Sequence, residues 1–174
     1  MESIKNKFAV VVLSLVVAFM CTSCSVSYKF NSSSIDYTKT KTITIAEFPI
    51  RSSYVWGPMQ GIFNNKLKDL FANHTRLVQV KRNGDLMIEG EITQYNQRNK
   101  SVSSEGYSAL TELSMTVAVR FTNNVNHDED FEQEFTATAS YDSRQSLNSV
   151  QEGLVEEMVE DITEQIFNAT VANW

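Results

Sequence analysis

Two long segments in the second half of the chain alternate between apolar and polar residues. The first runs from Leu113 to Phe121 and has an apolar residue at every second position. The second runs from Phe131 to Tyr141, where a mostly apolar row is opposed by glutamate and threonine. A period of two is typical of strands that bury one face. The sequence therefore predicts two half-buried strands, with residues 123–130 as the hairpin loop between them.

Three shorter apolar segments precede them. Residues 41–48 alternate and stop at Pro49, which indicates a strand. Residues 77–80 and 86–95 are joined around Asn83-Gly84, a pair that supplies the positive φ angles of a tight turn. The pattern thus predicts a hairpin at Asn83-Gly84. Residues 96–106 are polar and predict a mobile loop.

Two segments have the period of an amphipathic helix. In the first, apolar residues from Met59 to Phe71 recur at spacings of three and four, and Pro58 suits the first helical position. In the second, Ser149 and Glu152 have the spacing of a capping box. Its predicted buried stripe contains Val150, Leu154, Met158, Ile162, Ile166 and Ala169, widened by Val155, Val159 and Phe167.

The order of these elements is strand, helix, three or four strands, helix. Strands and helices that are each apolar on one side predict an α+β fold with two layers. We expect a mixed or antiparallel sheet of about four strands, with both helices packed on one face. The other sheet face is rich in threonine, serine and glutamate, so it is either a solvent-facing surface or a docking surface.

The first 25 residues have the pattern of a bacterial export signal. Lys5 and Lys7 precede an apolar run, residues 8–20, which is too short to span a bilayer comfortably. Cys21-Thr-Ser-Cys24 follows and resembles a lipobox in which Cys21 replaces the usual leucine, which predicts cleavage before Cys24. We therefore predict a signal peptide over 1–23, a lipidated tether over 24–40 and a folded domain over 41–174. A plain secreted protein and an uncleaved anchor are the alternatives.

Charge, length and cysteine content limit the classes of partner and cofactor that we expect. The chain has a formal net charge of −6, which does not favour nucleic acid as a partner. Cleavage before Cys24 leaves about 150 residues, the size of one ordinary domain, and one cysteine, so the mature domain has no internal disulfide. Apart from lipid on Cys24, with palmitate among the expected acyl chains, no cofactor is expected.

Candidate chemistry is sparse. The segment His127-Asp-Glu-Asp130 with Glu132 offers oxygen ligands but lacks the glycine and spacing of a calcium loop, so no metal site is expected. No serine lies in a nucleophile-elbow pattern, and the chain is not expected to be an enzyme. Basic residues Arg76, Lys81 and Arg82, with Arg98 and Lys100, are the densest positive group and the weak candidates for binding lipid phosphates.

Several segments together resemble the LptE-type lipopolysaccharide-assembly outer-membrane lipoproteins. They are the acylatable Cys24, the run Thr42–Arg51, the run Asn83–Tyr95, the run Asp130–Phe135 and the C-terminal helix that ends in Val171-Ala-Asn-Trp174. Within them, residues 84–92 are the most specific. The resemblance covers nearly the whole mature chain.

That resemblance implies a two-layer α/β domain and a partner, the large LptD-type β-barrel that inserts lipopolysaccharide into the outer leaflet. It also implies that the lipoprotein plugs the barrel, assists its assembly and contacts lipopolysaccharide. We expect a lipid-anchored protein of the outer membrane that faces the periplasm and the barrel lumen. The alternative is a free periplasmic lipoprotein that binds a hydrophobic ligand.

Overall fold

Five strands form one mixed sheet in a computed structural model that describes residues 35–102 and 108–171 of the chain. In chain order the elements are β1 Thr42–Ile45, α1 Pro58–His74, β2 Val78–Gln79, β3 Leu86–Val102, β4 Ser108–Asn123, β5 Phe131–Asp142 and α2 Leu147–Thr170. The sheet has the order β2-β1-β3-β4-β5 and carries two helices. The predicted α+β class is confirmed, with five strands instead of about four. β2 is the two-residue part of segment 77–80, which the pattern already predicts as a strand. The predicted signal peptide, Cys24 and the first part of the tether lie outside the described residues.

Strands β4 and β5 pair in the antiparallel sense that their alternation predicts. Val117 lies opposite Phe135, and Met115 lies opposite Ala137. All four side chains are buried beneath the helices. The connecting segment contains a short 3₁₀ turn, His127–Glu129, as a hairpin loop between the two strands.

The predicted hairpin at Asn83-Gly84 is wrong, because β2 and β3 do not pair with each other. β1 lies between them and runs parallel to both. Asn83 does have a positive φ, 55°. However, the turn serves a crossover: Gly84 packs so closely on β1 that a Cβ there would lie 2.6 Å from the backbone nitrogen of Thr44. The turn at Asn83-Gly84 is therefore present as predicted. The strand that lies between β2 and β3, however, is β1, about 40 residues earlier in the chain.

The predicted mobile loop over residues 96–106 is also wrong in its first part. β3 continues to Val102, and β4 begins at Ser108. Residues 96–100 are exposed on both sides of the hairpin, so their sequence lacks the alternation of a half-buried strand. A register shift between Ile92 and Gln94 marks a bulge, after which Tyr95 points inward.

Both predicted helices are present, and their starts differ. Pro58 is the first residue of α1, as expected. α2 begins at Leu147 with Ser146 as its N-cap, so Ser149 lies in the first turn and no capping box forms with Glu152. The Ser149 hydroxyl instead donates a hydrogen bond to the Ser146 carbonyl at 2.7 Å.

The core lies between the sheet and the helices. Phe48, in the segment after β1, meets Phe63 of α1 with ring centroids 5.1 Å apart, and Ile162 of α2 is fully buried. The described end of the predicted tether already belongs to this domain, since Ile35 and Tyr37 pack against the core. Burial on α2 centres on Val155, Met158, Val159, Ile162 and Ile166, whereas Leu154 is only half-buried.

Candidate functional site

The sheet face opposite the helices is polar across its three long strands. In β3, β4 and β5 the side chains that do not enter the core project from this outer face. Two cross-strand rows lie at its centre, Gln94 with Thr116 and Thr136, and Asn96 with Ser114 and Thr138. We call these six residues the polar rows. They carry hydroxyl and amide groups and no formal charge.

Hydrogen bonds hold this surface in a fixed arrangement. The hydroxyl oxygens of Thr116 and Thr136 lie 2.9 Å apart, and the Thr93 hydroxyl donates to the Thr116 carbonyl at 3.3 Å. Thr116 is only 5% exposed and lies between Gln94 and Thr136 in its row. The rows therefore present an ordered set of hydrogen-bond donors and acceptors, several of which can form further hydrogen bonds with a partner.

At one end of the polar rows, three charged side chains lie side by side on neighbouring strands. Arg120 of β4 lies between Glu89 of β3 and Glu132 of β5. Its Nε donates to Glu132 Oε1 at 2.6 Å. Both side chains are more than 60% exposed, so this ion pair contributes little to stability.

The other end contains a buried carboxylate that the sequence analysis missed. The side chain of Glu112 is 5% exposed. Its Oε1 lies 2.6 Å from Nη2 of Arg98, and its Oε2 lies 3.0 Å from Nζ of Lys100. Hydrogen bonds from Lys100 and Arg98 lower the pKa of Glu112. The two basic side chains close over the carboxylate, which explains why a charged residue is tolerated there. The only sequence signal is a glutamate in the outward row, which any exposed strand would show.

The five basic residues proposed as one positive group do not form one cluster. Arg98 and Lys100 are on the hairpin stem, roughly 40 Å along β3 from the strand's start near Lys81 and Arg82. Arg76 precedes β2, and its guanidinium lies 5.4 Å from the ring centroid of Tyr37. Arg76, Lys81 and Arg82 are exposed at the two ends of β2 and remain candidates for a phosphate contact.

The acidic residues of the β4–β5 loop act as caps of that loop. Asp130 accepts the Asn123 backbone N–H at 2.7 Å, and Glu129 accepts the Asn123 side-chain amide at 2.7 Å. The bond from Asn123, followed by that from His127, lowers the pKa of Asp130. Among the described residues, no three histidine, cysteine or acidic side chains are grouped as a metal site.

The recesses of the outer face are open and polar. One recess of about 390 Å³ is bordered by Gln94, Arg98 and Thr138, and a second of about 530 Å³ lies over Arg120 and Glu134. The space between sheet and helices is filled by fully buried side chains such as Phe63 and Met115. This arrangement fits a partner bound by hydrogen bonds better than an enclosed apolar ligand. No helix in the described ranges has the length and apolar character needed to cross a bilayer.

Comparison with solved structures supports the fold. An uncharacterized lipoprotein B from Nitrosomonas europaea is 20% identical, with a TM-score of 0.51 over 76% of this chain and 83% of that one. A hypothetical protein from Chlamydia trachomatis is 10% identical, with a TM-score of 0.52 over 76% of this chain and 99% of that one. At these identities the likeness shows a shared fold.

The sequence comparison gives the family. No curated protein sequence matches the chain significantly. The model of the LptE family, described as lipopolysaccharide-assembly, matches residues 40–170 and thus most of the chain. That family consists of non-enzymatic assembly proteins. The chain therefore belongs to the LptE lipopolysaccharide-assembly family.

Proposed function

We propose that this protein is an outer-membrane lipoprotein that occupies the lumen of an LptD-type β-barrel and assists the barrel's assembly. In this role it takes part in the transport of lipopolysaccharide to the outer leaflet. Acyl chains on Cys24 anchor it, and the domain faces the periplasm and the lumen. Membership of the LptE family supports the general role, and the outer sheet face supports the barrel contact.

The observation that carries the proposal is the chemistry of the polar rows. The lumen of a large membrane barrel is lined by polar residues, so a plug needs hydroxyl and amide groups rather than an apolar patch. Ser114, Thr136 and Thr138 provide such groups on the outer face of paired strands. Interfaces contain about one hydrogen bond per 100–200 Å², so many modest contacts would add up over this area.

Depletion of the lipoprotein tests the assembly role. We expect less correctly folded barrel and lipopolysaccharide retained in the periplasm or inner membrane. Normal barrel levels with normal surface lipopolysaccharide would reject the proposal and favour the free, ligand-binding lipoprotein.

A pair of variants tests which surface makes the contact. Ser114→Trp places a bulky ring at the centre of the outer face, so it should reduce the amount of barrel that copurifies with the tagged lipoprotein. Glu157→Trp, on the exposed side of α2, is the matched control and should copurify normally. Equal recovery of the barrel with both variants would exclude the outer face as the contact.

Lipid anchoring has its own test. The several acyl chains of a bacterial lipoprotein hold a membrane firmly, whereas one chain binds only marginally. Intact mass of the mature protein should show an acylated Cys24 at its N-terminus. An unmodified Cys24, or a Cys24→Ser protein that is still cleaved and membrane-bound, would contradict this part of the proposal.

Contact with lipopolysaccharide is assigned to Arg76, Lys81 and Arg82. All three are exposed, and guanidinium and ammonium groups bind phosphate through charge-assisted hydrogen bonds. Replacing the three with alanine should weaken binding of purified lipopolysaccharide and leave the circular dichroism spectrum unchanged. Unchanged affinity would remove these residues from the proposed role.

A further inference from the structure

β5 is a long strand at the end of the sheet. Among the described residues it pairs with β4 alone, and its other edge has no strand beside it. It extends over 12 residues without proline, and its register with β4 has no shift. Long, regular edges readily pair with another strand, and proteins usually shorten, bend or charge them. Here the three charged residues, Glu132, Glu134 and Asp142, leave the central part of the strand, residues 135–141, uncharged.

The hydrogen-bond ladder tells which backbone groups face this open edge. Asn124 donates its N–H to the Asp85 carbonyl on the β3 side, whereas the Asn123 N–H points toward the β5 side, where Asp130 accepts it. Because directions alternate along an antiparallel ladder, the odd-numbered residues of β5 bond to β4. The N–H and C=O groups of the even-numbered residues therefore point to the open edge. These residues are Glu132, Glu134, Thr136, Thr138, Ser140 and Asp142.

The opposite edge of the sheet is different. β2 is only two residues long, and Lys81 and Arg82 follow it after Val80. A short edge beside two cations is poorly suited to strand pairing. A molecule with one open edge that pairs with itself forms a closed, two-fold dimer, whereas two open edges would allow fibres.

We propose that β5 pairs antiparallel with β5 of a second copy, with Thr136 on the two-fold axis. This register places Glu132 opposite Ser140 and Glu134 opposite Thr138. At the two ends it brings Asp142 opposite Asp130 of the other copy, where each carboxylate already has a partner in its own chain, Arg144 and His127 respectively. Thr136 meets its own copy, and threonine pairs are favourable across strands. On the inner face, Phe131 lies opposite Tyr141 and Phe135 lies opposite Ala137. The first is an aromatic cross-strand pair, and the second sets a large side chain against a small one. A parallel pair in register would instead set like charges side by side.

The half-buried Leu154 is consistent with this dimer. Phe167 marks the side of α2 that packs on α1, since its ring contacts Phe71 with centroids 5.2 Å apart. At 100° per residue, Leu154 lies about 140° around the helix from Phe167 and thus on the side of the open edge. A second copy beside β5 would cover this side chain. The dimer is a property of the free lipoprotein and does not depend on the proposed barrel partner.

Site-specific cross-linking of the full-length protein, expressed in excess over the barrel so that the membranes contain free lipoprotein, tests the register. Thr136→Cys should give a dimer with a short bifunctional maleimide, because the two positions are about 5.5 Å apart between Cα atoms in a hydrogen-bonded pair. Ser140→Cys is the matched control on the same edge. Its two copies would be about 25 Å apart, so it should not cross-link with itself but should do so with coexpressed Glu132→Cys. The protein without an added cysteine shows the background from Cys24.

A second variant separates pairing from folding. Thr136→Lys places two like charges on the axis and should reduce the dimer at least tenfold in sedimentation measurements of the detergent-solubilised protein. Ser114→Lys, on the inner strand β4, should leave the dimer unchanged, and circular dichroism should show both variants folded. A monomeric wild-type protein, cross-linking of Thr136→Cys only to another protein, or equal cross-linking of Ser140→Cys with itself would each overturn the proposal.

Discussion

The side-chain oxygen of Asn64 accepts a hydrogen bond from the backbone N–H of Phe48, with the two atoms 2.9 Å apart. Asn64 is on α1 and is only 2% exposed, and its amide nitrogen also donates to the Gln60 carbonyl at 2.8 Å. One amide thus joins the first helix to the irregular segment that follows β1. The helix pattern treats this position as polar and outward, yet it lies at the junction of the two layers.

Replacing Asn64 with alanine should therefore lower the free energy of unfolding by about 1–3 kcal/mol, because a buried N–H is left without an acceptor. Asn65→Ala is the control, since Asn65 is exposed. It should stay within about 0.5 kcal/mol of the wild type. Urea unfolding followed by circular dichroism measures both, and equal losses would show that the Asn64 bond does not matter.

Burial on α2 gives a graded prediction. Ile162 is fully buried, so Ile162→Ala should cost about 2–5 kcal/mol through lost contacts and a residual cavity. Leu154 is half-buried, and its truncation should cost clearly less. The exposed Glu156 should tolerate alanine within about 0.5 kcal/mol. Chemical denaturation that ranked Leu154→Ala above Ile162→Ala would contradict the packing described here.

Two glycines should respond to alanine in opposite directions. A Cβ at Gly90 would lie 2.1 Å from the Ala118 carbonyl oxygen and 2.4 Å from Cε1 of Phe48, so Gly90→Ala should be strongly destabilising. A Cβ at Gly153, within α2, meets nothing within 4 Å. Gly153→Ala should stabilise by roughly 0.5–1 kcal/mol because alanine favours helix. Thermal melting of the two variants should move in opposite directions, and parallel shifts would refute the contrast.

Asp85 gives a pH prediction. The Lys41 N–H, and then the hydroxyl and N–H of Thr42, donate to its carboxylate and lower its pKa from the usual 3.8. The stabilisation is complete above that usual value and is lost as pH falls through the lowered pKa of the folded state.

Asp85→Asn should accordingly be less stable at pH 7, and its stability should fall less steeply below about pH 4. Asp69→Asn, at an exposed position on α1, serves as the comparison and should keep the wild-type profile. Denaturant unfolding from pH 7 down into the acid range measures both. An unchanged acid slope in Asp85→Asn would show that this carboxylate does not anchor β1.

Elements whose pattern depends on one buried face could be predicted from the sequence. The alternation in β4 and β5 marks which side chains meet the helices, and the same residues define the outer polar face. Prediction failed where long-range partners decide the structure. Asn83-Gly84 looks like a hairpin turn because the sequence does not show that β1 enters between the two strands. Glu112 is hidden for the same reason, since its burial depends on Arg98 and Lys100 from the neighbouring strand.

The insertion of β1 between β2 and β3 has a consequence for the order of folding. Both neighbours of β1 follow it in the chain. Ile43 can pair on the β3 side only after Leu86 has been synthesised. Contacts between residues this far apart in sequence slow folding, because the chain loses the entropy of closing a long loop before these contacts stabilise it. A chain that emerges N-terminus first would therefore hold residues 41–85 without β3, which joins β1 to the rest of the sheet, and would depend on protection from aggregation until β3 emerges.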